Sequence, residues 1–167
     1  MQTQQQIVTA REALSPFVAT YPQVTLLHPL LNLETVYLYN SESHCGSLTE
    51  AIGFQLVFPP GISKNDPNRS TPISIETLPQ LNEADSVILL GDNFNNINQL
   101  DDMDRFEDHQ LLPLKQAWEK HAIAQVLNAS QSGRVHFIPA YVCGLLPGPI
   151  GTELYLKELK QQLLTTQ

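Results

Sequence analysis

Gly133-Arg134-Val135-His136-Phe137-Ile138-Pro139-Ala140-Tyr141 reads as a turn, a short apolar strand, and a loop with an aromatic residue at its mouth. Shortly after, Gly148-Pro149-Ile150-Gly151-Thr152-Glu153-Leu154 restarts the chain as an amphipathic helix, with Leu154, Leu156, Leu159 and Leu163 along one side. Ligands of open α/β sheets bind at such strand-to-helix crossings. The pattern points to recognition rather than catalysis.

Working outward, Ser86-Val87-Ile88-Leu89-Leu90 is a continuous apolar run, the mark of a buried and parallel strand. Val24–Leu27, Val36–Tyr39 and Phe54–Phe58 read as further strands, rich in residues that suit a pleated surface. Gln4–Thr20 has helical spacing of Ile7, Ala10, Ala13 or Leu14, and Phe17 or Val18, with Pro16 near its end. Leu48–Ile52 is a short helix stopped by Gly53, Ser74–Leu78 another with Ser74 as its cap, and Leu111–Asn128 a longer one. The prolines, Gly61 and asparagines between Pro59 and Pro72 predict a surface loop. Strands alternating with helices predict an α/β fold: a three-layer α/β/α sandwich with a mostly parallel central sheet, in one domain.

The chain has 167 residues, 42% of them hydrophobic, enough for one real core. Nine basic against seventeen acidic residues give a net charge of −8, which argues against nucleic acid or an anionic membrane as partner. No run approaches the roughly 20 apolar residues of a membrane span. Met1–Gln6 lacks the basic start and apolar centre of a signal peptide, so the sequence reads as a cytoplasmic protein or a piece of an exported one.

Parallel strands place their C-terminal loops on one side of a sheet. Three loops are therefore expected to gather at one edge: Asn40–Ser47, Gly91–Asn96 and Ala140–Pro147. Their hydroxyls, amides, His44, Phe94 and Tyr141 suit holding a polar molecule without reacting with it. Cys45 beside His44 is the obvious nucleophile, yet neighbours at a helix start diverge and no third residue orients them. No phosphate-cradling glycine motif and no His-Glu-x-x-His stands in the chain. The acidic run Asp101–Asp108 reads as a solvated loop and helix start. His28, His121 and His136 fall singly on periodic elements, where surface or core roles outweigh metal ligation. Cys45 and Cys143 are either bridged, if their Cα atoms lie within about 7 Å, or two partly buried thiols.

The ordered series Leu48–Phe54, Ser74–Leu78, Ser86–Leu90, Gly133–Val135 and Gly148–Ile150 resembles the C-terminal lobe of the periplasmic substrate-binding proteins of iron-siderophore and vitamin B12 ABC transporters. That resemblance implies one lobe of a bilobal protein, with residues 1–20 as the end of the inter-lobe helix and residues 21–167 as the ligand-binding lobe. It implies a missing N-terminal lobe, a periplasmic or lipoprotein-anchored location, and an ABC permease and ATPase as partners. The implied ligand is a ferric siderophore rather than haem or cobalamin, with no resident cofactor and no protein metal ligand. Carried over by position, Ser41, Ser43 and His44 stand in the first cleft loop, Asn93 and Phe94 in the second, and Tyr141 in the third. Glu76 matches the acidic residue that docks on the permease. The family's final-loop Trp and Arg positions hold Cys143 and Pro147, and none of the three loops contains Arg or Lys. A strongly anionic ligand would then need its cations from the other lobe. The competing reading is a stand-alone α/β regulatory or scaffolding domain with no small-molecule ligand.

Overall fold

The computed structural model describes residues 2–30, 33–93, 106–144, 146 and 148–165. Its first half runs α1 (Gln2–Thr20), β1 (Gln23–Pro29), β2 (Thr35–Tyr39), α2 (His44–Ile52), β3 (Gln55–Leu56), β4 (Ser70–Ser74) and a 3-10 helix (Ile75–Leu81). The second half runs β5 (Ser86–Gly91), α3 (Phe106–Lys120), α4 (Ala122–Gln125), α5 (Asn128–Gln131), β6 (Val135–Pro139), α6 (Tyr141–Gly144) and α7 (Pro149–Thr165).

The strands form one sheet in the order β4-β2-β1-β5-β6, with β3 beside the start of β1. β1 pairs in parallel with β3 and β5, and β5 with β6, while β2 runs antiparallel to both β1 and β4. β5 is buried at every position, as its unbroken apolar run requires between two parallel neighbours. Alternation along the strands divides the core in two. Val24, Leu26, Ile88, Leu90 and Ile138 face Leu14 and Phe17 of α1, Leu48 and Ile52 of α2, and Tyr155, Leu156 and Leu159 of α7. Leu27, Val36, Leu38, Val87 and Leu89 face the 3-10 helix, Leu114 and Trp118 of α3, and Leu127. Burying one such leucine contributes about 1.5–3 kcal/mol, so each face anchors its helix layer firmly.

Several boundaries differ from the sequence reading, each for a local reason. The strand expected over Phe54–Phe58 is paired only at Gln55–Leu56. The end of the proline-rich loop is an edge strand, β4, in which Pro72 is tolerated because the sheet's last strand has no further neighbour to serve. The helix expected from Leu111 starts at Phe106 and gives way after Lys120 to two short helices. α2 begins at His44 rather than Leu48, because Ser43 caps it there. Gly53 does end α2, in the left-handed conformation (φ 119°).

Candidate functional site

The expectation that three loops meet because their strands are parallel needs correction at the first of them, since β2 is antiparallel to β1. What brings that loop to the others is the helix after it. The Ser43 hydroxyl donates to the Asn40 carbonyl (2.7 Å) and accepts from the Gly46 N–H (2.9 Å), folding the loop back on the helix start. Gly46 is required by this approach: a Cβ there would lie 1.9 Å from the Asn40 oxygen. Cys45 is bonded to Cys143 of α6, with Cα atoms 5.3 Å apart. His44 Nε2 lies 3.3 Å from the Thr152 hydroxyl in the first turn of α7. Below them the Thr49 and Tyr155 hydroxyls share a buried hydrogen bond of 2.7 Å. The question of two thiols or a bridge is thus answered, and Cys45 is no thiolate nucleophile.

The second crossing is fixed on α3. Gln110, 2% exposed, accepts the Asn93 N–H (2.9 Å) and donates to the Asn93 carbonyl (2.6 Å). Asn93 Nδ2 donates to the His109 carbonyl at 3.1 Å. Pro113, four residues on, has no N–H to offer that carbonyl, so the side chain replaces a helical donor. Asn93 is itself buried, and Phe94 lies outside the described residues. At the start of α3 the Phe106 ring meets the Tyr141 ring, with centroids 5.6 Å apart. The second and third crossings therefore touch as well. α6 occupies part of the segment expected to be loop after β6.

A recess of about 360 Å³ opens on this rim, lined by Ser41, Glu42, Ser43, His44, Ser47 and Arg69. Three sequence-expected residues are among them. Ser41 donates its hydroxyl to the Glu50 carboxylate, while Ser43 is 5% exposed and presents little of itself beyond its capping role. Arg69 is the residue that sequence reasoning missed, and it supplies the cation that none of the three loops contains. The β2–β4 register, Tyr39 opposite Ser70, continues one step to place Arg69 opposite Asn40, whose N–H donates to the Arg69 carbonyl (3.0 Å). Only knowledge of that long-range pairing reveals it.

His28, expected to stand singly, is instead the centre of a row across the strand ends. Its Nδ1 lies 3.1 Å from the Tyr39 hydroxyl and its Nε2 3.1 Å from an Asp92 carboxylate oxygen. Burial, then the Asp92 charge, raise the Tyr39 pKa, so this hydroxyl keeps its proton and donates it to Nδ1. In the tautomer with its proton on Nε2, His28 accepts from Tyr39 and donates to Asp92, which satisfies all three groups.

Near Tyr141, Glu158 of α7 is 8% exposed, with Glu107 of α3 beside it. Burial first, then Glu107, push the Glu158 carboxyl up to about 7. Glu76 is exposed in the first turn of the 3-10 helix, whose Ile75, Leu78 and Leu81 pack into the other core layer. Among the described residues no group of three or more His, Cys, Asp or Glu is placed to hold a metal, and no helix is long and apolar enough to cross a membrane.

No protein-family model matches this chain, nor does any curated protein sequence. Solved structures do match it. The siderophore periplasmic binding protein from the fuscachelin gene cluster of Thermobifida fusca superposes with a TM-score of 0.67 at 14% identity, over 99% of this chain and 52% of its own. An FhuD fold-family periplasmic binding protein of a Fep/Fec-like ferrichrome ABC transporter from Bacillus subtilis does so with a TM-score of 0.67 at 16% identity, over 95% and 53%. PiaA of Streptococcus pneumoniae, in complex with ferrichrome, gives 0.64 at 19% identity, over 96% and 50%. The chain thus spans about half the length of the structures it matches and has the fold of that half.

Proposed function

We propose that this chain is the solute-binding component of an ABC importer for iron-siderophore complexes, and that it forms one wall of the ligand cleft. One observation carries the reading. Three separate crossings are tied into a single rim through Cys45–Cys143, His44–Thr152 and Phe106–Tyr141, in a fold shared with siderophore-binding proteins. In this reading Ser41, Ser43, His44, Asn93, Phe94 and Tyr141 form or support the wall, joined by Arg69. Binding is non-covalent: side-chain hydrogen bonds and the Tyr141 face hold a chelate whose iron is already saturated by its chelator. No bond is made or broken. Part of the contact surface would come from a second lobe, of which α1 is the connection, so the chain alone binds weakly. Glu76, exposed on the other layer, is the proposed docking charge for the permease, setting orientation and encounter rate more than affinity. The protein would work in the periplasm or as a lipoprotein at the cell surface, where a disulfide such as Cys45–Cys143 persists.

Equilibrium dialysis against coloured ferric chelates tests this directly. Trp118 is a poor fluorescent reporter, being 2% exposed and packed in the opposite core layer. Saturable retention of a ferric siderophore, weakened in Arg69→Ala or Tyr141→Ala, supports the reading. Retention of none of the ferric hydroxamates and catecholates removes it.

A further inference from the structure

The charges around the rim bear on which chelate the site accepts. Among the described residues, Arg69 is the one Arg or Lys lining the recess, and Glu42 in the same lining offsets it. Along the strand ends stands Asp92, its side chain 36% exposed and bonded to the His28 imidazole rather than to a lysine or arginine. Close enough to Tyr141 to raise its pKa, Glu107 and Glu158 bring a second centre of negative charge. One oxygen of Glu158, Oε2, is buried without a hydrogen-bond partner. Lys157 offsets part of the pair's charge, but it shares a groove with Glu153 between α1 and α7. Apolar groups stand near them in the chain: the Phe106 ring meets the Tyr141 ring, and Leu146 (36% exposed) and Ile150 (68% exposed) follow α6. The net −8 of the chain adds a repulsive long-range field for any anion.

Chelates differ in charge by simple chemistry. Three hydroxamates cancel the charge of a ferric ion, leaving a neutral complex, or a cationic one where the backbone carries an ammonium group. Three catecholates leave the complex triply negative. We infer that this site accepts a ferric hydroxamate of zero or positive charge, and that Asp92 with the Glu107–Glu158 pair turns away triply negative catecholates. A cationic tail would find its counter-charge at Glu107, the partly exposed member of the pair, and a neutral backbone would lie on Tyr141 and Ile150. This inference rests on the proposed siderophore role and deepens it. Specificity here is a difference of affinities, and the carboxylates act through repulsion of the wrong class.

Competitive equilibrium dialysis of the whole chain against Fe3+-Desferal (cationic), ferrichrome (neutral) and ferri-bacillibactin (triply anionic) tests it, at low and at high salt. The expected result is at least tenfold tighter retention of the first two at low salt, with the gap narrowing as salt screens the rim. Asp92→Asn and Glu107→Gln, tested separately, should each improve ferri-bacillibactin retention at least threefold while leaving ferrichrome within twofold. Ferri-bacillibactin retained as tightly as ferrichrome, or better, overturns the inference and leaves the siderophore role standing. Retention of none of the three overturns both.

Discussion

Asn93 Nδ2 donates to the carbonyl of His109 at 3.1 Å, in the place of the helical N–H that Pro113 lacks. A proline in mid-helix ordinarily costs about 3 kcal/mol through that lost bond and its steric clash. Here the freed acceptor is used to fasten a site loop to α3. Asn93→Ala should therefore destabilise the protein by about 1–2 kcal/mol in urea unfolding, and by clearly less in a Pro113→Ala background, where a backbone N–H is restored. Equal losses in both backgrounds would show that the two residues are not coupled.

The disulfide closes a sequence separation of 98 residues. In the chain-entropy account a loop of that size is worth up to about 4–5 kcal/mol, and measured values centre on about 2–4. Replacing both cysteines with serine should lower stability by that amount and loosen the rim, seen as faster amide exchange from 44 to 47 and from 141 to 143. Because both sulfurs are nearly inaccessible (3% and 4% exposed), reductant should act only once denaturant opens the fold. Rapid reduction of the native protein would contradict the packing described.

His136 is 1% exposed and faces Phe17, and burial, with a smaller contribution from Arg134, holds its pKa down at about 4. An unfolded histidine titrates near 6.5, so on acidification the unfolded chain takes up this proton first. Stability from His136 is complete above about pH 6.5 and lost as pH falls toward 4, by about 3 kcal/mol in total. Urea midpoints for wild type and His136→Phe should diverge across that window, with the flatter profile in the variant. Parallel profiles would mean that the folded imidazole takes up its proton as readily as the unfolded one.

Glu158 acts in the opposite sense. Its folded pKa is raised, to about 7, so the folded state holds the extra proton. The favourable contribution is present below the unfolded pKa near 4.5 and fades as pH rises through 7. Glu158→Gln, which keeps the shape and removes the charge, should stabilise the protein at pH 8 by about 1–2 kcal/mol, discounted for solvent near the pair. At pH 4 the two proteins should be alike. A variant less stable than wild type at pH 8 would place the pair's charge elsewhere.

Much of this was legible in the residues themselves. Ser86–Leu90 declares a buried parallel strand by composition alone, and β5 is buried throughout. The Gly53 stop and the Ser74 cap needed only local chemistry, and both occur. Gly148-Pro149 restarts the chain as expected, with Gly148 at φ 85° and Pro149 in the first position of α7. What stayed hidden depends on pairing between distant segments. Nothing local says that β2 is antiparallel, so Arg69 could not be brought to Asn40, nor Tyr39 and Asp92 to His28. The use of Asn93 is concealed likewise, since a proline twenty residues on creates the acceptor it serves.

The central claim is that the joined crossings hold a ferric chelate, and amide chemical-shift mapping with a diamagnetic gallium hydroxamate complex addresses it most directly. The account predicts saturable shifts concentrated at Ser41–Ser47, Arg69, Tyr141–Cys143 and Thr152. Shifts confined to the groove of Gln5, Gln6, Thr9, Lys157 and Lys160, or no shifts at any concentration, would contradict it.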